Sequence, residues 1–527
     1  MARKIVALTM CLILIMLSLD GCFGRQKADE SFAVPILDEP TSLDPQIADS
    51  DAEKMIILNC WEGLMRVNSK GELENGVAES YDVSPDGLIY TFNLRQDAHW
   101  ALFSGHKNVL GDDYKDSFDI TVYAEDFEFA FSRIFDDTIG SPYKSIFSCI
   151  ESFEASGKFT FTVKLKYRYD GFLYALTLPG AMPCDKEFYE KTGGKYGLDA
   201  KYMLSNGAFN ASRWSEGSSI RIVRNDDYNG VNRIMPSAVT FYINSSQSAV
   251  AEKMGTGTYD MAFLTADGYN ALPNKDDYNA QALENTVYSL IFNQSDKYLE
   301  NRNIRLAIVH SIGHELSEGL SEGATAATGF VPPFCTVGNE KYASSASVLP
   351  SFDEALAREC FEQGLLEIGS SSVELEIKCT QRYEQFIKQI VQIMQKTLGV
   401  RFVITVNTLE MSDINAAISD GDYSIVFYPF VAESARTDEF LESFEDNSLF
   451  NYSSEEYSAA LDEIRASLGD FAALRKSCEK AEGILISDAV MLPVLFDSSY
   501  FITDADSAGI YFYNAVSNVV FMSATRK

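Results

Sequence analysis

The sequence predicts an α/β fold made of several lobes. Strand-like and helix-like apolar patterns alternate from Ser31 onward, and one segment, 373–406, shows a strand, a helix and a second strand in succession. The chain has 527 residues, whereas a single hydrophobic core stops growing at about 250–300 residues. No repeat of fixed period occurs in the sequence, which excludes a repeat architecture.

The strand–helix–strand segment is the clearest unit. Alternate residues of 373–377 are apolar, and the apolar side chains between Tyr383 and Leu398 then recur every three or four residues, as on one face of a helix. Gly399 follows, where a helix end favours glycine, and 400–406 form a second strand. Such units have parallel strands, and ligands of parallel sheets bind beyond the carboxyl ends of the strands.

Shorter patterns predict the other elements. Residues 84–87 have the composition of a hairpin turn and precede an alternating strand at 90–94, and residues 159–165 alternate again. A helix begins near Ala124, with its apolar residues on one face. A further strand is predicted at 423–427, so the residues after it are candidates for ligand contact.

The composition is that of a folded globular protein, with 46% hydrophobic and 23% charged residues. The net charge is −33. A surface this acidic repels phosphate backbones, so nucleic acid is not an expected partner. The charge suits solubility outside the cell and weakly favours cationic ligands.

The N-terminus predicts export and a lipid anchor. Two basic residues precede an apolar run at 5–19, which is shorter than the roughly 20 residues that span a bilayer and is typical of a signal peptide, 1–21. The run ends in LDGC, similar to a bacterial lipobox whose cysteine, Cys22, becomes the lipidated N-terminus, although Asp20 departs from that pattern. The polar residues 22–31 predict a tether on the outer face of the membrane or in the periplasm. The alternative is a secreted protein cleaved at another site.

The cysteines do not form a disulfide framework. Nine are present without a C-x-x-C motif, and two of them lie in the signal peptide and at the anchor. The other seven are an odd, irregularly spaced set, so buried free thiols are expected, although one or two pairs could still bridge.

No catalytic or metal-binding motif fits its sequence context. Residues 319–323 match G-x-S-x-G, but a nucleophile elbow needs an apolar strand before the serine, and here the polar stretch 314–318 precedes it. His310 and His314 are four residues apart, but Ser311 stands where a zinc protease carries glutamate. We therefore expect no catalysis, no metal and no cofactor.

An ordered set of short motifs carries a family resemblance. The chain resembles the oligopeptide- and dipeptide-binding lipoproteins of ABC importers, the extracellular solute-binding protein family 5, from about residue 35 to about residue 512. The segments that resemble the family are 39–45 (EPTSLDP), 61–64 (WEGL), 78–92 (AESY, SPDG and YTF), 122–131 (VYAEDFEFAF), 205–209 (SNGAF), 304–307 (IRLA) and 481–493 (AE to P).

The resemblance implies a three-lobed clamshell of the periplasmic-binding-protein type, with mixed sheets flanked by helices. Lobe I would be discontinuous, lobe II would be an insertion, and ligand would bind between lobes I and III. The implied ranges are 32–66, 205–293 and 496–527 for lobe I, 67–204 for lobe II and 294–495 for lobe III.

The resemblance also implies a ligand site. Register along 421–433 places Glu433 where the family has an aspartate that binds the peptide's α-amine, with Phe430 at the family's aromatic position. Arg382, just after the strand at 373–377, resembles the arginine that pairs with the ligand carboxylate. Both assignments suit the chemistry, because buried peptide termini need opposite charges and an arginine fork matches a carboxylate.

The expected function is therefore a monomeric binding protein that hands peptides to membrane permease subunits of an ABC transporter. Other members of the family bind a nickel complex, a sugar, an opine or a signalling peptide, and these ligands remain alternatives. An exported hydrolase is a further alternative, which the absence of a supported catalytic motif disfavours.

Overall fold

The structure is a computed structural model. It describes residues 30–527, apart from residues 69, 170, 231–232, 313–319, 321–322, 339, 343–348, 433–434, 446–451 and 514–517. Cys22, Glu433, His314 and most of the G-x-S-x-G segment lie outside the described residues.

Strands occur along the whole described chain. They are β1 Ser31–Ile36, β2 Met65–Val67, β3 Leu73–Asn75, β4 Ala78–Val83, β5 Ile89–Leu94, β6 Ile150–Gly157, β7 Thr160–Leu165, β8 Phe209–Ser215, β9 Ser219–Arg224, β10 Ala238–Ile243, β11 Met261–Leu264, β12 Tyr278–Phe292, β13 Thr325–Ala326, β14 Thr336–Val337, β15 Glu340–Lys341, β16 Val373–Cys379, β17 Phe402–Thr408, β18 Ile425–Val431, β19 Met491–Asp504, β20 Ser507–Ala508, β21 Tyr511–Tyr513, β22 Asn518–Val520 and β23 Thr525–Arg526.

Helices alternate with the strands, most densely in the second half of the chain. They are α1 Asp51–Cys60, α2 Lys107–Leu110, α3 Tyr114–Ser117, α4 Ala124–Phe135, α5 Phe172–Ala175, α6 Lys186–Lys191, α7 Gln247–Gly255, α8 Ala266–Asn270, α9 Arg302–Ile312, α10 Glu354–Ile368, α11 Glu384–Leu398, α12 Met411–Asp420, α13 Thr437–Glu442, α14 Glu455–Ser467 and α15 Phe471–Ser487. Among the described residues, we find no helix whose length and apolar character would let it cross a membrane.

Three larger sheets organise these elements. One has the strand order β1-β10-β9-β8, with β1 parallel to β10, and one within residues 78–165 has the antiparallel order β4-β5-β7-β6. The third has the order β11-β19-β12-β18-β16-β17, with β13 beside β19. Parallel and antiparallel pairs both occur, so the prediction of an α/β fold with mixed sheets is confirmed.

Two long strands run through the third sheet. β12 and β19 are antiparallel along most of their length, and their register shifts between Leu283 and Thr286. The C-terminal part of β19 pairs with β11. The C-terminal part of β12 pairs with β18. The sheet is therefore continuous between the segments implied for lobe I and those implied for lobe III.

The predicted strand–helix–strand unit is present as β16, α11 and β17. The two strands are parallel, with Val373 opposite Phe402 and Ile377 opposite Val406. The second strand begins two residues later than predicted, because Phe402 N donates a hydrogen bond to Gly399 O and closes a turn at the helix end. Val400, predicted to start the strand, is instead 97% exposed.

The prediction of a strand at 423–427 was wrong in its bounds. β18 starts at Ile425 and runs to Val431, through Pro429. Proline is tolerated there because β18 pairs with β16 only at Ile425 and Val426, so Pro429 has a strand neighbour only on the β12 side. Phe430 consequently lies within the strand rather than after it.

The seven cysteines among the described residues are all free and buried, as expected, and none of them is paired. Burial raises the pKa of the Cys379 thiol to about 11 and that of the Cys149 thiol to about 12, which leaves both thiols protonated near neutral pH.

His106 is a fully buried histidine in the implied lobe II. Its Nε2 lies 2.8 Å from Met203 O, and Phe103 N donates to its Nδ1 at 3.5 Å. A backbone donor at Nδ1 requires the neutral tautomer that carries its proton on Nε2. Burial lowers the pKa of His106 to about 4, although the bond to Met203 acts in the opposite direction.

We expect this histidine to make the protein less stable in acid. Its pKa is 6.5 unperturbed and about 4 when folded, so the unfolded chain binds the extra proton first as pH falls. The contribution of the neutral His106 to the free energy of unfolding is complete above pH 6.5 and decreases by at most about 3 kcal/mol towards pH 4. The test is to measure the free energy of unfolding by denaturant, from pH 7 to pH 4, for the wild type and for His106→Gln. The glutamine keeps a donor for Met203 O. The free energies of unfolding of the two proteins should converge as pH falls. A difference that stays constant with pH would contradict the expectation.

Candidate functional site

The candidate site begins at the carboxyl end of β16. A single 3₁₀ turn, Gln381–Tyr383, follows the strand and precedes α11. It places the Arg382 side chain beyond the sheet edge, where ligands of parallel strands collect. The Arg382 side chain is 19% exposed and has an ion pair on each side.

The two partners of Arg382 come from distant parts of the chain. Its Nη2 lies 3.0 Å from Asp497 Oδ2 in β19, and its Nε lies 3.2 Å from Asp267 Oδ1 in α8. Asp497 is buried and also accepts a hydrogen bond from Tyr383 Oη at 3.0 Å. Asp267 belongs to the segment implied for lobe I, so Arg382 joins the two implied lobes. Asp497 and Asp267 were not identified from the sequence.

An aromatic group lies next to this arginine. The Arg382 guanidinium is 4.9 Å from the centre of the Tyr383 ring, and Tyr383 contacts Tyr288 at 4.6 Å and Phe427 at 5.1 Å between ring centres. Burial raises the pKa of the Tyr288 hydroxyl, which is consistent with a surface from which water is largely excluded. A charged group that reached Arg382 would therefore be screened less than at an open surface.

Phe430 lies elsewhere on the same sheet. Val287 is opposite Phe430 and Tyr288 is opposite Pro429 in the pairing of β12 with β18. Because neighbouring residues of a strand point to opposite faces, Phe430 and the Tyr288–Tyr383 contact are on opposite faces of the sheet. The Phe430 ring packs against Phe444 at 4.8 Å and Phe330 at 5.6 Å. The structure therefore does not place Phe430 beside Arg382.

Glu433 lies outside the described residues, but both ends of its loop are fixed. Ala432 N donates to Asn285 O at 2.8 Å on the β12 side. On the other side, Thr336 N donates to Ala435 O at 2.6 Å, and Thr437 Oγ1 donates to Thr336 O at 2.9 Å. The loop after β18 is thus held at both ends by backbone groups of other segments.

The end of this loop also meets the implied lobe II. A cavity of about 90 Å³ is lined by Tyr169 and Gly171 of lobe II and by Arg436, Asp438 and Phe471 of lobe III. Arg436 forms ion pairs with Asp438 and with Glu439, the latter at 2.7 Å. All three implied lobes therefore approach the region around 432–438.

The enzyme-like motifs fall largely outside the described residues. His310 lies in α9, while its proposed partner His314 is outside the described residues. Among the residues that the structure describes, we find no group of three or more side chains that could hold a metal ion.

The fold and the sequence are both similar to known peptide-binding proteins. Residues 72–451 match the profile of the bacterial extracellular solute-binding proteins, family 5 middle. The dipeptide-binding protein of Lactococcus lactis subsp. cremoris is 24% identical, with 97% of each chain covered. The oligopeptide-binding protein OppA of Bacillus subtilis is 25% identical, with 94% of this chain and 95% of that protein covered.

Solved structures show the same architecture. The dipeptide-binding protein of Pseudoalteromonas sp. SM9913 in complex with Met-Leu has a TM-score of 0.70 at 18% identity, covering 94% of this chain and 100% of that one. Peptide-bound OppA of Listeria monocytogenes has a TM-score of 0.68 at 20% identity, covering 95% of this chain and 100% of that one. The clamshell fold class expected from the sequence is confirmed by these likenesses.

Proposed function

Because the chain belongs to the bacterial extracellular solute-binding proteins of family 5, we propose that it captures peptides outside the cell and delivers them to the permease of an ABC importer. Near full-length relatives named as dipeptide- and oligopeptide-binding proteins support a peptide ligand. The observation that carries the proposal in the structure is Arg382, a charged group held between the implied lobes I and III at the sheet edge.

We propose that Arg382 binds the carboxylate of the peptide. The partner that a ligand would displace is Asp267, because its side chain is 67% exposed and water can replace the lost contact. Asp497, at 5% exposure, would stay paired and keep the guanidinium oriented. The ligand carboxylate would therefore replace the Asp267 carboxylate as a partner of the Arg382 guanidinium.

The direct test is to identify what the protein carries. The chain would be produced in a peptide-rich medium, purified without denaturant and then unfolded, and the released small molecules would be analysed by mass spectrometry. Peptides in stoichiometric amount support the proposal. Release of a nickel complex, a sugar or an opine instead would assign the protein to another ligand class within the family.

The family consists of binding proteins, and we propose that this member turns nothing over. Incubation of the protein at stoichiometric concentration with peptides, esters and glycosides should leave all of them intact. Hydrolysis that is lost in Ser321→Ala would overturn this part of the proposal.

We propose that Cys22 is the lipidated first residue of the mature protein and anchors it outside the cytoplasmic membrane. A Cys22→Ala variant expressed in a bacterial host should appear in the medium or periplasm, or keep its signal peptide, because the acceptor thiol is gone. Phase partitioning in Triton X-114 and intact mass measure this. A matched Cys11→Ala variant, inside the signal peptide, should partition like the wild type. A Cys22→Ala protein that enters the detergent phase although its intact mass shows that the signal peptide has been removed would contradict the anchor.

A further inference from the structure

A second cavity lies away from Arg382, at the joint between the implied lobes I and II. Its volume is about 340 Å³, in the size range of small-ligand sites. Trp61, just after α1, and Arg66 of β2 line it, together with Glu74, the pairing partner of Arg66 on the neighbouring strand β3. Tyr511 and Tyr513 of β21 add an aromatic wall.

Buried polar atoms without a hydrogen-bond partner are concentrated in this cavity. Thirteen such side-chain atoms occur among the described residues, and four of them belong to three residues that line it: Trp61 Nε1, Arg66 Nε, Arg66 Nη2 and Glu74 Oε1. Arg66 Nη2 and Glu74 Oε1 are 2.9 Å apart as an ion pair, but they are not aligned for a hydrogen bond. Trp61 is only 3% exposed, so its indole N–H is shielded from bulk water.

The other charges around the cavity are already matched. Glu62, which is buried, accepts hydrogen bonds from Arg95 Nη2 and from Tyr228 Oη, both at 2.7 Å. Of the charged side chains that line the cavity, Glu62 is therefore paired with Arg95, and Glu74 is paired with Arg66. A ligand with a net charge would therefore leave one charge unpaired, whereas a zwitterion would not.

We infer that this cavity is a binding site for a free α-amino acid, separate from the peptide cleft. The carboxylate accepts hydrogen bonds from Trp61 Nε1 and Arg66 Nε, and the ammonium group donates to Glu74 Oε1. The side chain of the amino acid lies against the tyrosines of β21. Three of the four unpartnered atoms then gain a partner of the right polarity, and Arg66 Nη2 keeps its ion pair with Glu74, with no change in net charge.

Fluorine NMR of protein labelled with 5-fluorotryptophan tests this site. The chain has three tryptophans, so three signals are expected, and Trp61→Phe assigns one of them. L-Leucine should shift the Trp61 signal saturably, while the signal of Trp214, whose Nε1 donates to Glu39 Oε1, should stay in place. Leucinol, which lacks the carboxylate, and N-acetyl-leucine, which lacks the ammonium group, should each bind at least about tenfold more weakly than leucine.

Variants separate this site from the cleft. Calorimetry should show that Trp61→Phe and Arg66→Gln each bind leucine at least about tenfold more weakly than the wild type. Each variant loses a donor to the carboxylate. The shift should persist in Glu433→Gln. If the Trp61 signal shows no saturable shift up to about 10 mM leucine, any binding is too weak for a dedicated site, and water alone fills the cavity. A shift that is lost in Glu433→Gln would place the amino acid in the peptide cleft and overturn the inference.

Discussion

A Glu433→Gln variant is expected to bind peptides at least about a hundredfold more weakly than the wild-type protein. The reason is the proposed contact between the Glu433 carboxylate and the peptide's α-amine. Losing one partner of a buried charge pair costs about 3–5 kcal/mol, because the other charge stays desolvated, and each tenfold in affinity corresponds to about 1.4 kcal/mol. Isothermal titration with a short peptide measures the loss.

The described residues on both sides of Glu433 are bound to other segments of the chain. Ala432 is bound to Asn285 of β12, and Ala435 is bound to Thr336, so the chain between them spans two anchored points. Thermal unfolding of the ligand-free variant should nevertheless match the wild type, because the carboxylate is proposed to be solvated when the cleft is open.

Two controls test the pairing itself. N-acetylation of the peptide should weaken wild-type binding by a similar factor and have little further effect on the variant, as in a double-mutant cycle. Glu410→Gln removes an exposed acid just beyond β17, at the same edge of the sheet, and should leave affinity unchanged. Additive losses in the cycle would mean that the amine is held elsewhere.

Local patterns predicted the elements well where one face of an element is buried. The apolar faces of α4 and α11 are recognisable in the sequence because their buried residues recur at helical spacing. The extent of β18 was not recognisable, because Pro429 is a strand breaker unless the strand lacks a second neighbour. That condition depends on how far β16 and β18 overlap, which is a tertiary property.

The site was predicted less completely for a similar reason. Arg382 could be singled out, because it follows a strand of a parallel pair and resembles the family's arginine that pairs with the ligand carboxylate. Its partners Asp267 and Asp497 lie 115 residues away on either side, and no local pattern connects them with it. A weak signal existed for Asp497, an acid that directly follows the apolar run 491–496 in β19, since a buried acid needs a partner.

The first family-like motifs have a structural explanation. Asp44, in the segment 39–45, is paired with Arg133, two residues after the segment 122–131. Arg133 Nη1 donates to Asp44 Oδ1 at 3.0 Å and to Gln46 Oε1 at 2.5 Å, and its Nη2 also contacts Asp44. The guanidinium lies 4.2 Å from the centre of the Tyr189 ring. The first motif and the helix α4, which carries most of the segment 122–131, therefore meet at the joint between the implied lobes I and II.

An Arg133→Met variant is expected to lose about 3–5 kcal/mol of unfolding free energy, because Asp44 would remain as a buried, unpaired charge. The side chains of the two residues are only 4% and 5% exposed, so water cannot replace the lost partner. Urea unfolding monitored by circular dichroism measures the change. Methionine keeps most of the volume of the arginine stem, which limits the contribution of a cavity.

The matched comparison is an ion pair at the surface. Lys191 and Glu187 are 2.6 Å apart, with side chains 44% and 60% exposed, so Lys191→Met should cost less than about 1 kcal/mol. Adding Asp44→Asn to Arg133→Met should recover part of the loss, because the substitution removes the unpaired charge and its amide oxygen can still accept a hydrogen bond. If Arg133→Met is as mild as Lys191→Met, or if the double variant is no more stable than Arg133→Met alone, the two motifs do not act through a buried charge pair at this joint.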